Sequence, residues 1–231
     1  MRRWWRKCQQ VLPKGRTRVQ PEILKINAEE PDSSLVSYAA EQIKKGFVLA
    51  LPTDTFYGLA VDPYNLRAVD KIYEIKERGK HKPLSLLIES VEQAELLSAP
   101  LPDEFYLLAE RFWPGPLTII VRAAPRLPLK VTANTGNIAL RFPENKIPLA
   151  IIRAAGVPVT ATSANLSGHQ ECTTAQQVKE QLAQRVPIII DGGKSMREVP
   201  STIVYLANGG WKLMREGAIS VQQIEDFLGD Q

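Results

Sequence analysis

The sequence predicts an α/β fold built on one mixed sheet, and three observations predict it. Short apolar runs alternate with segments whose apolar residues recur at helical spacing. A hairpin pattern near the end makes the sheet mixed rather than purely parallel. No internal repeat or low-complexity linker divides the chain, so one domain is expected. Asp32 or Ser33 caps a first helix with Leu35, Tyr38, Ala39 and Ile43 on its inner side and Gly46 at its end. Phe47–Leu51 reads as a buried strand. Asn65 caps a second helix over Leu66–Glu77, with Val69, Ile72, Tyr73 and Lys76 along one side. Leu84–Ile88 is a strand, Ser90–Ser98 and Asp103–Phe112 are helices, and Leu117–Arg122 and Ile138–Phe142 are strands. A helix over 146–155 precedes strands at Val157–Thr160 and Val186–Ile190. Between these two strands, Thr174 and Gln177 form a capping box for a helix reaching about Arg185. Thr202–Leu206 and Trp211–Arg215 pair across Asn208-Gly209-Gly210, and Ser220 with Gln223 caps a last helix.

Composition narrows the function classes. The chain has 231 residues, 44% hydrophobic and 23% charged, which is enough length and apolar content for a sizeable core. No apolar run approaches the roughly 20 residues that cross a bilayer, and no membrane partner is expected. Cys8 and Cys172 cannot make a disulfide framework, and neither stands at metal-ligand spacing from a histidine. The net charge of +4 is unevenly placed. Residues 1–20 carry seven cations (Arg2, Arg3, Arg6, Lys7, Lys14, Arg16 and Arg18) and no acid, leaving 22 basic against 25 acidic side chains from Pro21 onward. A disordered basic tail over 1–20 and one folded domain over 21–231 are therefore expected. Such a tail suits nucleic acid, tRNA included, or an anionic surface. Its lack of acids also matches a mitochondrial presequence. A solvated extension accounts for it equally, and a cytoplasmic location is the expectation.

Four segments could carry chemistry. Pro52-Thr53-Asp54-Thr55-Phe56-Tyr57-Gly58-Leu59 leaves the first strand, where open α/β sheets bind ligands, though Pro, Thr and Asp are also turn residues. Lys76-Glu77-Arg78-Gly79-Lys80-His81-Lys82 is a cationic run that suits a polyphosphate, or simply the dipole at a helix C-terminus. Thr160–Gly168 combines small residues with hydroxyls and an amide, as either a ligand cradle or a turn. Asp191-Gly192-Gly193-Lys194-Ser195 suggests a P-loop, but Ile188 stands where the first glycine is needed. With only His81 and His169 in the chain, a hydrolase triad has few candidates.

Eight motifs in order carry a resemblance: LPTDTFYGL (51–59), K-x-R then KPL (76–84), FWPGPLT (112–118), ALRFP (139–143), TSANLSG (162–168), IIDGG (189–193), STIV (201–204) and MREG (214–217). Together they resemble the YrdC-like family of threonylcarbamoyl-adenylate synthases (TsaC type), over most of residues 32–220. The resemblance implies a twisted mixed sheet with helices around a deep basic cavity. It also implies a nucleotidyltransferase that joins L-threonine, bicarbonate and ATP into threonylcarbamoyl-AMP, releasing pyrophosphate. A downstream complex would pass the threonylcarbamoyl group to tRNA. By the family pattern Lys76 and Arg78 would act on the triphosphate as catalytic groups, with Lys80 as a third cation. Ser163, Asn165 and Arg215 would hold the nucleotide, and Thr53, Arg141, Ala161 and Ser201 would surround threonine. Mg²⁺ is expected with ATP, held by phosphate oxygens and water, with no protein metal site.

Three positions depart from the pattern. Glu77 stands where the family often has glycine, Leu87 where some members place a histidine, and Glu216 where many synthases have proline. A YciO-like branch shares R-E-G, so an RNA-binding protein without synthase activity is the alternative. Hydrogenase-maturation relatives, which make a different carbamoyl-adenylate, are a further alternative; they carry acylphosphatase and zinc-finger regions not seen in this sequence. Longer relatives have a second C-terminal domain, which this chain is expected to lack.

Overall fold

The computed structural model describes residues 20–182, 184–207 and 210–229, together with the backbone at 10, 11, 17 and 18. Of the basic tail it describes β1 (Gln10–Val11) paired antiparallel with β2 (Thr17–Arg18). The expectation of disorder for the other residues of the tail lies outside the described residues. The order then runs β3 (Glu22–Lys25), α1 (Ser33–Lys44), β4 (Leu49–Leu51), β5 (Gly58–Ala60), α2 (Leu66–Lys76), β6 (Ser85–Leu87), α3 (Val91–Leu97) and α4 (Asp103–Phe112). It continues through β7 (Leu117–Arg122), α5 (Leu129–Thr132), β8 (Asn137–Arg141), α6 (Lys146–Ala155), β9 (Val159–Ser163) and α7 (Ala175–Leu182). The last elements are β10 (Ile188–Asp191), β11 (Thr202–Ala207), β12 (Gly210–Arg215) and α8 (Val221–Gly229).

Ten strands form one mixed sheet in the order β12-β11-β7-β8-β6-β9-β5-β4-β10-β3. Its central strands are apolar on both faces, and the period of two sends successive residues into different cores. Leu49, Leu51, Ile188 and Ile190 meet Val36, Ala39 and Ile43 of α1 and Ile147, Ile151 and Ile152 of α6 on one face. Val48, Ala50 and Ile189 join the larger core on the other face with residues of α2, α3, α4, α7 and α8.

The predicted caps hold. Asp32 Oδ1 accepts from Ser34 N at 2.8 Å and Leu35 N at 3.0 Å, and Gly46, at φ +80°, ends that turn. Thr174 and Gln177 exchange the reciprocal bonds of a capping box at α7, and Ser220 and Gln223 do so at α8. One inner-face residue is corrected: Tyr38 is exposed, its hydroxyl donating to Glu22 Oε2 at 2.8 Å, while Val36 and Ala40 fill the core of α1. Besides β1 and β2, three elements go beyond the sequence reading. β3 is an edge strand alternating half-buried and exposed residues, β5 lies inside the segment read as a loop, and α5 is a single turn. The hairpin forms as expected from β11 and β12; residues 208 and 209 of its turn lie outside the described residues.

Candidate active site

A cavity of about 400 Å³ lies across one face of the sheet, and strand periodicity builds it. Its lining takes alternate residues: Ser85 and Leu87 of β6, Thr118 and Ile120 of β7, Ala139 and Arg141 of β8, Ala161 and Ser163 of β9, then Ser201 and Ile203 leading into β11. Ile120, Ala139, Ser85 and Ala161 stand opposite one another in register. Three small side chains in the middle of that row leave the space that larger residues would fill. The site therefore covers a sheet face and is not confined to loops at strand ends.

The walls carry charge. Among the described residues, Arg78, Lys82, Arg141 and Arg215 line the cavity against one carboxylate, Glu171. Arg141 is 7% exposed and tightly held: Nε donates to Gly115 O at 3.1 Å, Nη1 donates to Thr55 Oγ1 at 2.9 Å, and Nη2 lies 2.5 Å from Asp54 Oδ2. Asp54 is fully buried, so this is an ion pair in low dielectric, extended by Arg197 at 3.7 Å from the same oxygen. Thr53 Oγ1 donates to Phe56 O at 2.6 Å, folding the segment after β4 over the cavity. Arg215 Nε and Nη2 donate to Ser201 O at 3.1 and 2.8 Å, and Nη2 also reaches Ser201 Oγ. Arg78 Nη2 donates to Pro83 O at 3.0 Å, while its buried Nε has no hydrogen-bond partner among the described residues. Burial lowers the pKa values of both Arg78 and Arg215, although each guanidinium stays charged in any ordinary buffer.

Seven of the ten residues singled out in the sequence meet here: Thr53, Arg78, Arg141, Ala161, Ser163, Ser201 and Arg215. Three do not line the cavity. Lys76 is 1% exposed; its Nζ donates to Asn165 O at 2.8 Å, to Asn165 Oδ1 at 3.1 Å and to Ser163 O. Its charge is thus spent on the turn beneath Ser163, and it holds that turn rather than facing the cavity. Asn165 is buried with it, its Nδ2 donating to His169 O at 2.5 Å. Lys80 turns outward to Asp70 Oδ1 at 3.2 Å.

The family pattern gave no role to Thr55, Thr118, Glu171 or Lys82, although Lys82 closes the cationic run read as suited to a polyphosphate. Thr55, Thr118 and Lys82 sit inside quoted motifs, so the signal was present; no local pattern marks Glu171. The glycines at 192 and 193 prove structural. A Cβ on Gly192 would meet Ile147 Cδ1 at 2.4 Å, and Gly193 O accepts from the Tyr57 hydroxyl at 2.6 Å. Leu87 adds an apolar patch to the lining. Glu216 has a local reason of its own: Oε1 accepts from Val221 N at 3.0 Å, at the start of α8. Gly217 is packed on backbone, since a Cβ there would lie 2.2 Å from Pro200 O and 2.6 Å from Ser201 C. Gly217→Ala is therefore expected to cost about 2 kcal/mol or more through displaced backbone. It should also weaken the binding of inorganic pyrophosphate beside Arg215; a thermal melt and an affinity matching the parent's would contradict this.

A family model covering the Sua5, YciO and YrdC proteins, described as telomere recombination, matches residues 41–217. The chain belongs to the Sua5/YciO/YrdC family. It is 40% identical over 195 residues to the threonylcarbamoyl-AMP synthase of Bacillus subtilis, covering 84% of this chain and 56% of that protein. The structure of Pyrococcus abyssi Sua5 complexed with L-threonine matches with a TM-score of 0.87 at 35% identity, over 90% of this chain and 61% of that one. Escherichia coli YciO matches with a TM-score of 0.80 at 25% identity, over 88% of this chain and 99% of that one. The Sua5/YciO/YrdC domain thus spans less than two thirds of the Bacillus and Pyrococcus proteins and nearly all of YciO. The predicted fold class is the one observed, a single mixed sheet with helices. Among the described residues no helix is long and apolar enough to cross a membrane.

Proposed function

We propose that this protein is an L-threonylcarbamoyladenylate synthase, a nucleotidyltransferase that uses L-threonine, bicarbonate and ATP. The observation that carries the reading is the cavity, where four cations and several hydroxyls face a floor of small residues. In this reaction the threonine amine takes up bicarbonate with loss of water. A carbamate oxygen then attacks the α-phosphorus, forming the mixed anhydride as the α,β-phosphoanhydride bond breaks and pyrophosphate leaves. Negative charge grows on the leaving phosphates, so fixed cations and alignment supply most of the catalysis, and no protein nucleophile is required.

Arg78, Lys82 and Arg215 would stabilise the triphosphate, with Ser163 beside it. Thr53, Ala161 and Ser201 would enclose threonine, with the fork of Arg141 toward its carboxylate. Lys76 and Asn165 act from behind by holding the turn that presents Ser163. Among the described residues no group of three or more His, Cys, Asp or Glu could hold a metal ion. Mg²⁺ would be carried on phosphate oxygens and water, and the carboxylate oxygens of Glu171, on the lining, suit so hard a cation. Bound there, Mg²⁺ would neutralise phosphate charge. The product would pass to a tRNA-modifying complex in the cytoplasm.

The deciding experiment is pyrophosphate release from ATP with Mg²⁺ and bicarbonate, with and without L-threonine, following the adenylate by mass. Threonine-dependent pyrophosphate together with threonylcarbamoyl-AMP is expected. No turnover from folded protein would overturn the reading and favour the alternative, a YciO-like RNA-binding protein without synthase activity. RNA affinity would then fall steeply with salt. Deleting residues 1–20 is expected to leave adenylate synthesis within about twofold of the parent, because the tail lies outside every motif. A large loss would move the domain boundary.

A further inference from the structure

We infer that Arg185 is a positioning residue for Arg78: it fixes the end of α2 so that the chain reverses at Glu77 and delivers Arg78 to the cavity. This rests on the assignment of Arg78 to the triphosphate.

The last carbonyls of α2 are all satisfied, each by a different donor. Arg78 N donates to Tyr73 O at 3.0 Å and Glu77 N to Glu74 O at 3.3 Å, the two bonds of a Schellman end. Ser167 N donates to Lys76 O at 3.0 Å. The remaining carbonyl, Ile75 O, accepts from Arg185 Nη1 at 3.1 Å. The same guanidinium reaches forward, with Nη2 2.8 Å from Glu77 Oε1. Arg185 therefore bridges the last turn of the helix and the residue that ends it.

Glu77 is what makes the bridge matter. Its backbone stands at φ 52° and ψ 41°, left-handed geometry that glycine adopts freely and a residue with a Cβ resists. The reversal there separates neighbours in sequence: Lys76 points into the turn at Ser163 and Asn165, while Arg78 lines the cavity. Were Glu77 to relax toward right-handed geometry, the Schellman bonds would break and Arg78 would swing from the lining. With a carboxylate in place of glycine, this chain holds the strained turn from outside, through Arg185.

Four proteins test this: the parent, Arg185→Ala, Glu77→Gly, and the double variant. Affinity for inorganic tripolyphosphate, measured by titration calorimetry, reads the cavity without any turnover. Arg185→Ala is expected to weaken tripolyphosphate binding, and to raise the KM for ATP, by about fivefold or more. The KM for threonine should stay within about twofold, and adding Glu77→Gly should restore both changed values, since glycine needs no external hold. Unchanged tripolyphosphate affinity in Arg185→Ala, an equal rise in both KM values, or no recovery in the double variant would each overturn the inference. The synthase reading is judged separately, by threonine-dependent pyrophosphate in the parent.

Discussion

Arg78→Ala is expected to lower kcat/KM for threonine-dependent pyrophosphate release by about a hundredfold or more, with the fold intact. Among the described residues the guanidinium makes one hydrogen bond, from Nη2 to Pro83 O, so truncation removes little that holds the structure. Its buried Nε has no hydrogen-bond partner among the described residues, which is costly in the free protein and is relieved when a phosphate oxygen arrives. A donor whose bond is made only with charge on the substrate favours the transition state over the empty site. Arg78→Lys keeps the charge and loses the fork, so an intermediate loss is expected. Arg215→Ala makes the contrast. Arg215 is tied to Ser201 by three hydrogen bonds, so its removal should cost stability as well as rate. Near-normal turnover in Arg78→Ala, with a parent-like circular dichroism spectrum and melt, would remove the arginine from the mechanism.

The fold was legible where side-chain pattern and cap chemistry agree. The helices over Leu66–Lys76 and Lys146–Ala155 and the strand at Leu117–Arg122 carry strong periodicity, and they stand where the sequence puts them to within a residue. β3 was not legible, because an edge strand with two charged ends shows no apolar run, and its pairing partner β10 lies far along the chain. The site was partly legible. The family pattern marked Arg78, Arg141 and Arg215 as anion partners, but nothing local distinguishes Arg78 from Lys76 and Lys80. Tertiary placement decides that difference: the reversal at Glu77 and the three oxygens around Lys76 Nζ send neighbouring cations to different tasks. The floor shows the same limit. Ser85, Ala139 and Ala161 are unremarkable singly, and become a cavity only once strand register lines them up.

Lys76→Met is expected to destabilise the protein by about 2–4 kcal/mol at pH 7, and two opposed terms set that size. Removing Nζ leaves Ser163 O, Asn165 O and Asn165 Oδ1 without their donor in a buried turn, at about 1–3 kcal/mol each. Against this, the parent keeps a charge in the interior. Burial, reinforced by the nearby charge of Arg78, lowers the Lys76 pKa from 10.5 to about 8. The folded protein thus gives up this proton near pH 8, whereas the unfolded chain keeps it to about 10.5. Below pH 8 both states are protonated, and the burial cost of the charge applies in full. Between these values the unfolded state binds more protons, so rising pH favours the folded parent, by roughly 3 kcal/mol over the whole window. The methionine variant has no such proton to lose. The stability gap between parent and variant should therefore widen from pH 8 to pH 10, while activity falls as the neutral amine gives up one donor to the turn beneath Ser163. Urea denaturation of both proteins across this range reads the gap directly. Curves that stay parallel would mean that Lys76 keeps its charge throughout, and that the three oxygens outweigh its burial.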